Sequence, residues 1–175
     1  MKKGIYEIIE SRVMYKNPWI EVKEEHVIGP NGKASIFGTI DYGSGVSVLA
    51  LDNNRNIFLI REYYYVLERY GVQLPSGGIE NGETALDAAK KELLEETGLI
   101  ADTWQDLGIT DPLTMIIKSP AYLFLATNLK TRGDEEEGIT VIKKTFEEAY
   151  QMVLDSKITH GPSCVAILKA KAYLE

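Results

Sequence analysis

The stretch Leu74-Pro75-Ser76-Gly77-Gly78-Ile79-Glu80-Asn81-Gly82-Glu83 runs directly into Thr84-Ala85-Leu86-Asp87-Ala88-Ala89-Lys90-Lys91-Glu92-Leu93-Leu94-Glu95-Glu96-Thr97-Gly98-Leu99. Its second half predicts a helix over 84–97. Thr84 is suited to cap the N-terminus, Asp87 stands where a capping box has its acid, and Gly98 is suited to end the helix. At the helical repeat Glu92, Glu95 and Glu96 share one face within about 100°, beside an apolar stripe of Ala89, Leu93 and Leu86. Local helix physics opposes such a face. Each like-charge pair costs about 0.2–0.5 kcal/mol, and anions in the last turn oppose the helix dipole by about 0.3–1 kcal/mol. A divalent cation reverses the sign, because hard Mg²⁺ or Mn²⁺ takes a few carboxylates together with water and phosphate oxygens. A solvated acidic face, partly neutralised by Lys90 and Lys91, is the competing reading. The glycine-rich segment upstream tips the balance, since it can turn sharply and approach a ligand closely.

Before this segment, Tyr6 to Tyr15, Trp19 to Ile28, Ala34 to Asp41, Val46 to Leu51 and Ile57 to Tyr63 read as strands, rich in β-branched and aromatic residues. Gly29-Pro30-Asn31-Gly32 is a hairpin signal between two of them. After it, strands are expected at Trp104 to Ile109, Ala121 to Thr127 and Ile139 to Lys143. Helices are expected at Phe146 to Leu154, behind the capping pair Thr145 and Glu148, and at Pro162 to Leu174. The order of sheet, helix, sheet and helices predicts an α+β fold, an α/β/α sandwich with a mixed sheet.

The 175 residues suit one main domain, and acids outnumber Lys plus Arg by 26 to 19, a net charge of −7. With no long basic run, a nucleic-acid backbone is a poor partner. Cys164 stands alone, which excludes an intrachain disulfide and a cysteine zinc site and suits a reducing cytosol. The expectation is a cytoplasmic protein, with no signal segment after Met1 and no apolar stretch long enough for a membrane helix. His26 and His160 are too isolated to suggest histidine chemistry.

Taken together, Gly77, Glu83 and then Lys91-Glu92-Leu93-Leu94-Glu95-Glu96-Thr97-Gly98-Leu99 resemble the Nudix box, with Lys91 in the place of the usual Arg. The Lys keeps the charge and loses the planar fork. A strand region over residues 1–41 ahead of a Nudix domain over 42–175, and the tail from Glu147 to a last helix, resemble the ADP-ribose and nucleoside-diphosphate-sugar hydrolase branch. That resemblance implies a Nudix-type α/β/α sandwich preceded by an N-terminal antiparallel strand region. It also implies a homodimer through those strands and Mg²⁺-dependent (or Mn²⁺-dependent) attack of water on a diphosphate bridge.

Carried over by position, Glu92 and Glu96 would be the main metal ligands, with Glu95 assisting, Glu83 supporting and the Ser76 carbonyl as a backbone ligand. Lys91 and Gly98 would be structural residues of the box. Glu137 or Glu135, in the acidic segment 134–137, would be the general base. Substrate contacts are expected from Arg61, Tyr64, Gln73, Gly77 and Gly78. The branch has an Arg where Tyr64 stands and a Glu where Gln73 stands, and both departures bear on the substrate. The competing functions are a nucleoside triphosphate pyrophosphohydrolase and a module that binds a nucleotide sugar without cleaving it.

Overall fold

The computed structural model describes residues 1–134 and 136–174. In chain order the first strands are β1 (Lys2–Lys3), β2 (Tyr6–Lys16), β3 (Glu21–Ile28), β4 (Ala34–Asp41), β5 (Gly45–Ala50), β6 (Asn56–Tyr64), β7 (Arg69–Gln73) and β8 (Ser76–Gly78). Helix α1 (Ala85–Thr97) follows, then β9 (Leu99–Thr110), β10 (Ile117–Lys118), β11 (Ala121–Thr131), β12 (Thr140–Thr145), α2 (Phe146–Leu154) and α3 (Gly161–Leu174).

The chain forms two compact units. The first, residues 1–44 with 111–120, is one sheet in the order β1-β2-β3-β4-β10, antiparallel except for the β4–β10 pair. Strand β3 starts later than the sequence suggests because the Asn17 side chain accepts from the Trp19 and Ile20 amides and turns the chain there. This unit buries only Ile8, Glu25 and Val27, while Ile5, Ile9, Val13, Tyr15 and Ile36 are exposed.

The second unit, 45–110 with 121–175, holds a four-stranded sheet in the order β8-β5-β11-β9 and a three-stranded sheet in the order β12-β6-β7. Strands β5 and β11 run parallel, and both are buried on two faces. On one side Val46, Val48, Ala50, Phe124 and Ala126 pack with Ala88, Ala89 and Leu93 of α1. On the other, Leu49, Leu51, Leu123 and Leu125 pack with Phe146 and Ala149 of α2 and Ala166, Ile167 and Ala170 of α3. This is the expected α/β/α sandwich. Double burial explains why Val46 to Leu51 reads as a continuous apolar run rather than an alternating one.

Helix α1 starts and stops as its sequence requires. The Thr84 hydroxyl accepts from the Asp87 amide, and Gly98 closes the helix in the left-handed region at φ 65°. Such a cap is worth about 1 kcal/mol. The box around Thr145 and Glu148 opens α2 in the same way. Four strands were not expected, the two-residue β1 and β10 and the longer β7 and β8. Strand β7 completes a hairpin whose tip is a 3₁₀ turn at Tyr65–Leu67. Strand β8 lies within the glycine-rich segment and pairs antiparallel with the start of β5, Ser47 opposite Ser76 and Val46 opposite Gly77.

Candidate active site

The turn from β7 to β8 is fixed on every side. The Leu74 amide donates to Ser163 Oγ at 2.9 Å, the Pro75 carbonyl accepts from the Val48 amide at 2.9 Å, and Ser76 Oγ donates to the Leu74 carbonyl at 2.8 Å. Ser47, fully buried on β5, meets Ser76 Oγ at 2.9 Å. So held, the Ser76 amide donates to Glu96 Oε2 at 2.8 Å. His160 is not idle in this frame: its Nδ1 lies 2.8 Å from Ser163 Oγ, and burial holds its pKa down to about 4.

Glu96 is 6% exposed, and its carboxyl is pushed up to about 8. Burial is the main cause, the Ser76 amide opposes it, and the charges of Glu92, Glu62 and Glu136 add to it. Burial also raises Glu92, with Lys91 opposing and Glu95, Glu136 and Glu83 reinforcing. The Glu92 carboxylate lies against Gly77, where any Cβ would overlap it, so glycine leaves the cradle in which this carboxylate sits. Glu95, one helical position before Glu96, is exposed.

The other residues expected from the sequence are distributed as follows. Glu83 is half-buried and accepts from the Glu80 amide at 3.1 Å, while Lys91 reaches back to Glu80 Oε1 at 2.6 Å. The cation of the box is thus bound to the loop before the helix. Gly98 packs against Gly133, whose carbonyl a Cβ would strike. Gly78 is exposed at the end of β8. Tyr64 and Gln73 meet on one face of the β6–β7 hairpin, the Tyr64 hydroxyl donating to Gln73 Oε1 at 2.8 Å. Arg61 lies on the opposite face, its guanidinium 4.1 Å from the centre of the Tyr70 ring. Strand parity alone separates residues 61 and 64 in this way. Glu137 is exposed in a turn, and Glu135 lies outside the described residues.

Two site residues were not expected. Glu62, on the face of Tyr64, accepts from Gln73 Nε2 at 2.6 Å, and burial together with Glu136 raises its pKa. Glu136 is the loop carboxylate whose charge reaches Glu62, Glu92 and Glu96.

Among the described residues no three His, Cys, Asp or Glu side chains are already drawn into a cage for a metal ion. The donor set nevertheless suits a hard divalent cation, being all oxygen, with a buried carboxyl that resists ionising alone and a glycine that leaves room at Glu92.

Comparison with known proteins agrees with this arrangement. Residues 41–151 match the NUDIX domain, and residues 6–40 match the nucleoside diphosphate sugar hydrolase N-terminal domain. The chain belongs to the Nudix family and is a hydrolase of its pyrophosphatase class. Among its relatives, an ADP-ribose pyrophosphatase of Bacillus subtilis is 29% identical over 95% of this chain and 93% of its own length. A methanol dehydrogenase activator of Bacillus methanolicus is 25% identical over 91% and 89%. The fold is that of a solved structure described as an ADP compounds hydrolase, with a TM-score of 0.86, 19% identity and coverage of 99% of this chain and 96% of the other. Nudix hydrolases generally use divalent metals and act on small nucleotide substrates. No described helix is long and apolar enough to cross a membrane.

Proposed function

We propose that this chain hydrolyses the diphosphate bridge of ADP-ribose or a related nucleoside diphosphate sugar with Mg²⁺, Mn²⁺ serving in its place. The observation that carries the reading is the pair Glu92 and Glu96, gathered against Gly77 and the Ser76 amide at a cost that a cation offsets. The near full-length match to an ADP-ribose pyrophosphatase supports the substrate class. Glu92 and Glu96 would hold the metal, with Glu95 on the same face, Glu83 behind them and the Ser76 carbonyl at the turn. When bound, the cation neutralises phosphate charge and lowers the pKa of coordinated water.

The chain's own residues do the remaining work. Gly77 and Gly78 let the diphosphate approach the backbone. Tyr64 and Gln73 face the substrate from the hairpin without adding a cation. Glu137, or in its place Glu135, supplies the base that takes the proton of the attacking water. Lys91 and Gly98 keep the helix and its neighbouring loops in place.

Residues 1–41 would form the dimerisation region and 42–175 the hydrolase domain, in a cytoplasmic homodimer. The thin core of the first unit and its exposed Ile5, Ile9, Val13 and Ile36 favour pairing with a second copy. Light scattering at micromolar concentration is expected to give twice the chain mass, and a compact monomer would refute pairing. For the reaction, purified protein with MgCl₂ is offered ADP-ribose, nucleotide sugars and nucleoside triphosphates. AMP and ribose 5-phosphate from ADP-ribose support the reading, whereas pyrophosphate released only from triphosphates would replace it.

A further inference from the structure

The face of the β6–β7 hairpin that carries Ile60, Glu62 and Tyr64 is built around one amide. Gly71, opposite Glu62 in the ladder, has no side chain, and a Cβ there would overlap the Tyr64 ring. The ring therefore lies across β7, and its hydroxyl reaches Gln73. The Glu62 carboxylate can only accept, so the buried Gln73 amide turns its Nε2 to Glu62 Oε1 at 2.6 Å, and its Oε1 is left to accept from the phenol. One oxygen of Glu62 is thereby tied. Among the described residues, no other donor reaches Glu62.

The setting is costly for a carboxylate. Burial and the charge of Glu136 both oppose its ionised form, and Glu62 in turn adds to the burden on Glu96. The nearest cationic side chain in sequence offers no relief, because Arg61 lies over Tyr70 on the other face. An amide at position 62 could accept the same hydrogen bond from Gln73 without the charge. The hydrogen bond therefore does not require a charge at 62, and Phe58, on the same face of β6 as Glu62, packs with Ala88, Ala89 and Leu93 of α1, so this face is turned toward the box helix. As on that helix, a cation reverses the sign of the repulsion.

We propose that Glu62 is a further cation-binding carboxylate of this site, contributed from outside the Nudix box, and that Tyr64 and Gln73 are its positioning residues. Tyr64 acts by holding the amide oxygen in place, and Gln73 acts by holding one carboxylate oxygen of Glu62 so that the other is left for a cation. The inference rests on the metal-dependent reading above and gives the substitutions at Tyr64 and Gln73 a common cause.

The test is calorimetric titration of metal-free protein with Mn²⁺, run beside hydrolysis of ADP-ribose in MgCl₂. Partners that orient metal ligands typically change affinity by about 10- to 100-fold, so Glu62→Gln is expected to weaken Mn²⁺ binding by about that factor while the metal-free protein melts no lower than wild type. Tyr64→Phe removes only the hydroxyl that holds Gln73 Oε1 and is expected to weaken Mn²⁺ binding less. The double variant E62Q/Q73E restores the hydrogen-bond chain, since an amide at position 62 and the Tyr64 hydroxyl can both donate to a carboxylate at position 73, but it moves the charge to the other strand. It is expected to melt like wild type and still bind Mn²⁺ weakly. Unchanged Mn²⁺ affinity in Glu62→Gln, or wild-type affinity in the double variant, overturns the role of Glu62. Wild-type protein that neither binds Mn²⁺ nor cleaves ADP-ribose overturns the metal-dependent reading itself, and this inference with it.

Discussion

Replacing Glu96 by Gln is expected to stabilise the metal-free protein at pH 8 while disabling it as an enzyme. The fold holds this carboxyl up to about 8, against an ordinary 4.5, chiefly through burial, so the folded protein binds the proton more tightly than the unfolded chain does. The stability linked to that proton is whole below pH 4.5 and is lost as pH rises through about 8. Integrated over that interval, the loss is on the order of 4 kcal/mol at pH 8 and under about 1 kcal/mol at pH 5. Gln keeps an oxygen to accept from the Ser76 amide and has no proton to lose, so the variant escapes the penalty. For a chain of this size the gain corresponds to roughly 10 °C in melting temperature at pH 8 and little at pH 5. Melting is followed by calorimetry in EDTA at the two pH values, and again with MgCl₂. With Mg²⁺ the order should reverse at pH 8, because a cation that binds only the folded wild type raises its stability by mass action. A variant that melts like wild type at pH 8 in EDTA, or gains equally at both pH values, would refute the account.

Further expectations follow from the same geometry. Mg²⁺ affinity should rise between pH 6 and pH 8 with release of close to one proton per binding event, read by calorimetry in buffers of different ionisation enthalpy. Gly77→Ala should displace the Glu92 carboxylate and lower turnover by at least about tenfold with only a modest loss of stability, since β8 is short and at the sheet edge. Lys91→Arg should preserve or raise turnover, the fork donating two hydrogen bonds to Glu80 where Lys91 donates one, and a large loss would show that the ammonium has a role of its own. Glu137→Gln and Glu135→Gln should be separable by kinetics, the base costing about 100- to 10,000-fold and its neighbour little; if both and the double variant stay within a few-fold, the metals alone activate the water.

What the sequence made legible is what short-range physics controls. Helix α1 is announced by Thr84, by Gly98 and by its apolar stripe, and α2 by the reciprocal pair Thr145 and Glu148. The box carboxylates were legible because their spacing offends helix energetics unless a ligand is present. Strand β8 was hidden by its glycines, which weigh against extended structure but are needed where Glu92 approaches the backbone. Strand β7 was hidden by the run from Tyr63 to Leu67, which is apolar and yet holds an exposed turn, with Tyr65 86% and Val66 88% exposed. Glu62 and Glu136 were missed for another reason. Their relation to Glu96 depends on β6, α1 and the loop after β11 meeting in space, and no local pattern records that.

The end of α1 bears on where the acidic segment is anchored. The Gly98 carbonyl accepts from both the Arg132 and the Gly133 amides, at 2.8 and 3.1 Å, so the root of the 134–137 segment is fastened to the very turn that terminates the box helix. Its far end is fastened as well, since β12 pairs with β6 from Thr140 onward. Gly133 and Thr140 are therefore two fixed abutments. Under the proposed reading, residues added or removed between Gly133 and Thr140 are expected to change the reach of the loop acids without disturbing either support.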